Sequence, residues 1–134
     1  MKLSILAFFA FLFSTCQPAG DGMSVIPVDE FEKLLADTDA QLLDVRTPEE
    51  FEAGHIQGAL LVDYRTDPEG FVQKVEAQLD KDVPVALYCR SGKRSHDAAL
   101  LLQKAGYKQL IELQGGILAW QEAGKDIEVK KTAQ

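Results

Sequence analysis

The chain has 134 residues, 46% of them hydrophobic and 26% charged, and a formal net charge of −7. That length suits one domain around one core and leaves no room for a second, while the composition excludes a globally disordered chain. The acidic balance repels phosphate backbones and anionic headgroups, so nucleic acid is not an expected partner.

Lys2 opens the chain as a short positive region, and residues 3–13 are almost unbroken apolar sequence. This pattern predicts a signal peptide over residues 1–15. The run falls short of the ~18 apolar residues that a membrane-spanning helix needs. Ser14, Thr15 and Cys16 follow at once and resemble the lipobox of bacterial lipoproteins, in which the cysteine is lipidated and becomes the mature N-terminus. Phe13 and Thr15 depart from the commonest residues there, which leaves cleavage by an ordinary signal peptidase as the alternative. Either route predicts export, with the domain periplasmic or anchored to a membrane facing the periplasm. Residues 16–23 are small, polar or turn-forming and read as a flexible tether. A domain over residues 24–130 follows, and residues 131–134 form a tail.

Within the domain, short apolar runs alternate with amphipathic stretches. Strands are predicted at residues 25–28, 41–45, 59–62, 83–88 and 109–113, and helices at 29–36, 48–53, 68–79, 95–105 and 116–123. A closing extended segment is predicted at residues 127–129. This βα rhythm predicts an α/β sandwich with a mainly parallel sheet covered on both faces. In such sheets ligands bind beyond the carboxyl ends of the strands, and Cys89 lies at one of those ends.

Cys16 and Cys89 are the only cysteines. With Cys16 lipidated or removed, Cys89 has no partner for an internal disulfide and is either a buried bystander or a reactive thiol. Its surroundings favour reactivity. A thiolate is favoured by backbone N–H groups, a helix N-terminus and nearby cations. Gly92 lets the loop Arg90-Ser91-Gly92-Lys93-Arg94 curl its N–H groups inward, and Ser95 is the expected N-cap of the next helix. Arg90, Lys93 and Arg94 add local positive charge that would collect small anions.

The segments LLDVRTPEEFEAGHIQGA, YCRSGKRS and LQGGILAW, in this order and spacing, resemble the successive signatures of rhodanese-homology domains over about residues 24–129. The resemblance implies the rhodanese-like three-layer sandwich and a sulfurtransferase that needs no cofactor. Sulfane sulfur would pass from thiosulfate or a persulfide donor to Cys89, then to cyanide or a thiol, including a thiol on a protein. It also implies that Cys89 to Arg94 cradle the transferred sulfur, with Ser95 following. Phosphatase relatives of this fold carry five residues between cysteine and arginine, whereas four separate Cys89 from Arg94 here. A noncatalytic rhodanese-fold docking module is the other alternative, and the presence of Cys89 argues against it.

Other polar residues have structural readings. Asp44 and Arg46 are expected to pair and brace loops. Glu49, Glu50 and Glu52 are expected on the solvated face of a short helix whose Phe51 packs inward. His55 is expected to bond to backbone, although it could be proposed as a base for Cys89. His96 is expected at the surface near the active loop, and Trp120 in the core beyond a tight turn at Gly115 and Gly116. The two histidines share no metal-ligand spacing with Cys89.

Overall fold

The computed structural model describes residues 22–129. The signal peptide, Cys16, most of the tether and the tail lie outside those residues. The described part is one five-stranded sheet in the order β1-β5-β4-β2-β3, with every neighbouring pair parallel. The strands are β1 (Gly22–Ile26), β2 (Gln41–Asp44), β3 (Leu60–Leu61), β4 (Val85–Tyr88) and β5 (Gln109–Leu113). Between and after them run α1 (Val28–Asp37), α2 (Pro48–Ala53), α3 (Pro68–Glu76), α4 (Lys93–Lys104) and α5 (Gly116–Glu122).

Two apolar clusters, one on each face of the sheet, make the three layers. Leu43, Leu87 and Leu110 pack against Phe71 and Val75 of α3 and Ala98, Ala99 and Leu102 of α4. Leu42, Ala86, Tyr88 and Ile111 pack on the opposite face with Phe31 of α1 and Ile117 and Trp120 of α5. Alternate strand residues thus serve opposite faces, and β4 is buried along its whole length. Trp120 is in the core as expected: it meets the Phe31 ring edge-on and donates from Nε1 to the Asp126 carbonyl at 2.9 Å.

The departures from the expected boundaries have local causes. Gly22 and Met23, assigned to the tether from sequence, pair with Gln109 and Leu110 as the first residues of β1. Pro27 then ends that strand and stands as the N-cap of α1, so Val28 is helical. Pro84 has no N–H to give a ladder, and β4 starts after it. The predicted strand at 59–62 keeps only two paired residues, at the sheet edge. The helix predicted to residue 79 ends at Glu76. The closing segment contributes one antiparallel bridge, Glu128 to His55.

The connectivity places the site. From β2 the chain moves outward to β3, whereas from β4 it moves the opposite way to β5. The carboxyl ends of β2 and β4 therefore flank a topological switch point, where open α/β sheets form their crevices. Asp44 ends one of these strands and Cys89 follows the other.

Candidate active site

Cys89 is a free thiol and is 1% exposed. The Gly92 N–H donates to its Sγ at 3.1 Å, and Sγ lies 3.5 Å from Ser95 Oγ. Ser95 Oγ donates in turn to the Gly92 carbonyl at 3.1 Å. Gly92 takes φ 119, a left-handed conformation that side chains rarely adopt, and this bends its N–H back over the sulfur. The helix consequently begins earlier than expected. Gly92, not Ser95, is the N-cap of α4, and Ser95 sits buried in the first turn, where its hydroxyl reaches both the sulfur and the cap carbonyl.

The far side of the loop is held by α5. Ile117 N–H donates to the Cys89 carbonyl at 2.9 Å, and Leu118 N–H donates to the Arg90 carbonyl at 3.2 Å. Gly115 and Gly116 both take positive φ to start α5 there. The sequence reading gave these glycines only a tight turn. Their contact with the loop was missed because the two segments are remote in sequence, and only the doubled glycine hinted at a close approach.

The cationic residues do not act as one patch. Arg94 forms a bidentate ion pair with Glu50 of α2, at 2.7 Å and 2.9 Å. The Arg94 hydrogen bond holds the Glu50 carboxyl down at about 2, against its ordinary 4.5, with partial burial opposing the shift. Arg94 is raised in turn, first by its hydrogen bond to Glu50 and to a lesser degree by the charge of Cys89. Glu50 is therefore not on a solvated face: it spans Thr47, whose capping box it completes, and the active loop. Glu49 and Glu52 are exposed as expected, while Phe51 is half-buried and stacks on the His55 ring at 3.7 Å. Lys93 is 87% exposed and 3.7 Å from Asp97. Arg90 and Ser91 are exposed, and the Ser91 side chain makes none of the bonds that hold the sulfur.

Over the loop lies a cleft of about 660 Å³, walled by Arg90, Lys93, Arg94 and Glu50 on one side and by Tyr64, Arg65 and Pro68 on the other. The sequence reading did not single out this second wall, which comes from the segment between β3 and α3.

Behind the site, Arg46 grips Asp44 through Nε, Nη2 and its own backbone N–H, with the closest contact 2.7 Å, and Nη2 also donates to the Gly54 carbonyl. Asp44 is wholly buried. Burial would pull the Arg46 pKa down, but the hydrogen bond and charge of Asp44 outweigh it and raise it. Tyr88, beneath that guanidinium at 5.6 Å, is pushed up by burial and by the Asp44 charge, so its neutral hydroxyl accepts from Ile56 N–H at 3.0 Å. These residues brace the loops around β2 and β4.

Neither histidine meets the thiol. His55 Nδ1 contacts the Phe51 carbonyl at 2.9 Å and its Nε2 lies 3.4 Å from Glu128. His96 Nδ1 is 3.1 Å from Glu112 Oε2, a buried carboxylate of β5. Among the described residues no group of three histidine, cysteine or acidic side chains could hold a metal ion.

The family model of the rhodanese-like domain matches residues 27–123. A sulfurtransferase of Allochromatium vinosum is 38% identical over 103 residues, which cover 76% of this chain and 92% of that protein. A tRNA uridine(34) hydroxylase of Bartonella quintana is 33% identical over 97 residues, but the chain spans only 32% of it. The crystal structure of the Alr3790 protein from Anabaena superposes with a TM-score of 0.70 at 26% identity, covering 78% of this chain and 82% of that one.

Proposed function

The chain belongs to the rhodanese-like family, and from that premise we propose that it is a sulfurtransferase carrying sulfane sulfur as a persulfide on Cys89. The observation that carries the reading is the seat of the sulfur. Sγ lies at the carboxyl end of β4, receives an N–H from Gly92 at 3.1 Å and has Ser95 Oγ beside it. An N–H donor and a helix N-terminus aimed at one sulfur supply the hydrogen bonding and positive potential that suit a transferred sulfur held there.

In the first half-reaction the Cys89 thiolate attacks the outer sulfur of thiosulfate. An S–S bond forms to Sγ as the original S–S bond breaks, and sulfite departs with the electron pair. Three negative charges enter this step and three leave it, so the loop has only to gather anions, and Arg90 and Lys93 at its mouth supply that attraction. In the second half-reaction cyanide or a thiolate attacks the terminal sulfur, forming thiocyanate or a new persulfide and returning Cys89 as thiolate. A persulfide donor enters by the same exchange, leaving as its thiolate. Because Cys89 is 1% exposed, the transferred sulfur passes through the mouth of the loop.

Intact-mass measurement of the soluble domain, before and after thiosulfate, tests the reading. One added sulfur atom, removed by cyanide as thiocyanate and absent in Cys89→Ser, is the expected result. A folded wild-type domain that gains no sulfur from thiosulfate or from any persulfide donor would overturn it in favour of a docking module. Phosphate release from an aryl phosphate would favour a phosphatase.

A further inference from the structure

The wall of the cleft opposite the active loop contains a cation that the sulfur chemistry leaves unused. Arg65 lines the same cleft as Arg90, Lys93 and Arg94, yet it comes from a different element, the segment leading into α3. Among the described residues, Arg65 and Arg90 have no ion-pair partner, whereas Arg94 is consumed by Glu50 and Lys93 leans toward Asp97. A chain of net charge −7 has an excess of carboxylates available to neutralise it. An unpaired guanidinium facing a cleft is therefore matched to an anion from outside.

The backbone that carries Arg65 is held in place. Asp63 Oδ1 accepts from the N–H groups of Arg65 at 2.8 Å and Thr66 at 3.2 Å, and Asp63 also bonds the Thr66 hydroxyl. The preceding Tyr64 donates its N–H to the Val45 carbonyl at 3.2 Å and packs edge-on against Phe71 of the core. At about 660 Å³ the cleft is far larger than an inorganic sulfur anion.

Resting on the sulfurtransferase reading, we propose that Arg65 is a specificity-determining residue that binds a carboxylate on an organic persulfide donor while its sulfur enters the Cys89 loop. A guanidinium fork matches a carboxylate in two parallel hydrogen bonds, which a neutral ester cannot accept with equal strength. The exchange itself is unchanged. The Cys89 thiolate attacks the terminal sulfur of the donor, the donor S–S bond breaks, and the donor leaves as its thiolate. Arg65 selects which molecule arrives.

The test compares glutathione persulfide with the persulfide of glutathione diethyl ester, which lacks free carboxylates, as donors to the wild-type domain and to Arg65→Gln, Arg65→Lys and Lys93→Gln. In the wild type, kcat/KM favours the free acid. In Arg65→Gln that preference falls about tenfold, the scale of one lost charge-assisted contact. Arg65→Lys recovers part of it. A fall of less than threefold in Arg65→Gln, or an equal fall in Lys93→Gln, would overturn the assignment and leave only a general attraction for anions. If the wild-type domain loads sulfur and the preference ignores Arg65, this inference fails alone; if no donor loads Cys89, the sulfurtransferase reading falls with it.

Discussion

A Cβ atom on Gly116 would lie 2.3 Å from the carbonyl oxygen of Arg90. The start of α5 is thus pressed against the backbone of the active loop, with the N–H groups of Ile117 and Leu118 on the carbonyls of Cys89 and Arg90. A trans peptide points its N–H opposite to its C=O, so fixing these carbonyls toward α5 turns the N–H groups of Arg90 and Ser91 away from it. The sulfur's surroundings are shaped from behind by a segment that never touches the sulfur.

Gly116→Ala is therefore expected to do more than strain one residue. Gly124 has a comparable φ of 75° and nothing within 4 Å of an added Cβ, so Gly124→Ala measures the conformational cost alone, about 1–2 kcal/mol. Gly116→Ala adds a collision with backbone, and an extra loss of about 1–3 kcal/mol is expected from urea unfolding, together with slower sulfur loading. Equal losses in the two variants would show that the approach of α5 to the loop is not tight.

The Glu50–Arg94 pair predicts a particular acid response. The Glu50 carboxyl sits at about 2 in the folded chain against an ordinary 4.5. A carboxyl with a lowered folded pKa adds stability that is fully present above the unfolded value and disappears as pH falls through the folded one. Glu50→Gln should therefore be less stable than wild type at neutral pH, with the gap narrowing between pH 4.5 and 2. Parallel stability curves for the two proteins through that window would contradict this.

Asp44 and Arg46 form a buried pair, at 0% and 5% exposure. Removing one partner strands the other charge, so Asp44→Asn is expected to cost about 3–5 kcal/mol in chemical denaturation. Replacing both, as Asp44→Asn with Arg46→Met, should recover part of that loss because no buried charge remains. A double variant no more stable than Asp44→Asn would show that the geometry of the pair, beyond its neutrality, holds the loops.

His96 covers Glu112, whose side chain is 4% exposed. His96→Ala leaves that carboxylate short of a hydrogen-bond partner, and a loss of about 1–3 kcal/mol is expected in thermal or urea unfolding. Since His96 makes no contact with Sγ, its removal should still permit persulfide formation at Cys89; abolished loading in a folded variant would place His96 in the chemistry instead.

Export and lipidation at Cys16 are proposed from the sequence alone. In a bacterial host, the full-length chain should incorporate labelled fatty acid and fractionate with membranes, and Cys16→Ser should do neither. A wild-type chain recovered unlabelled from the periplasm would favour ordinary signal cleavage.

The α/β alternation, the parallel sheet and the position of Cys89 at a strand end were legible in the sequence because each rests on short-range pattern. Four-residue apolar runs, helical spacing such as Phe71 and Val75, and punctuation by Pro48 and Pro68 act through neighbours in the chain. The turn after Cys89 was legible for the same reason, since Gly92 follows three residues on, but Gly92 takes the N-cap place expected of Ser95.

What only the tertiary structure decided is which charges cancel and which segments meet. Glu50 and Arg94 are 44 residues apart, and although the Thr47 capping box marks Glu50 locally, nothing in the nearby chain pairs it with Arg94 until α2 is packed beside the active loop. The same holds for Arg65 across the cleft and for Gly116 behind the loop. Coulomb interaction and steric contact depend on distance in space, and a parallel sheet whose order is β1-β5-β4-β2-β3 brings together positions that the chain keeps far apart.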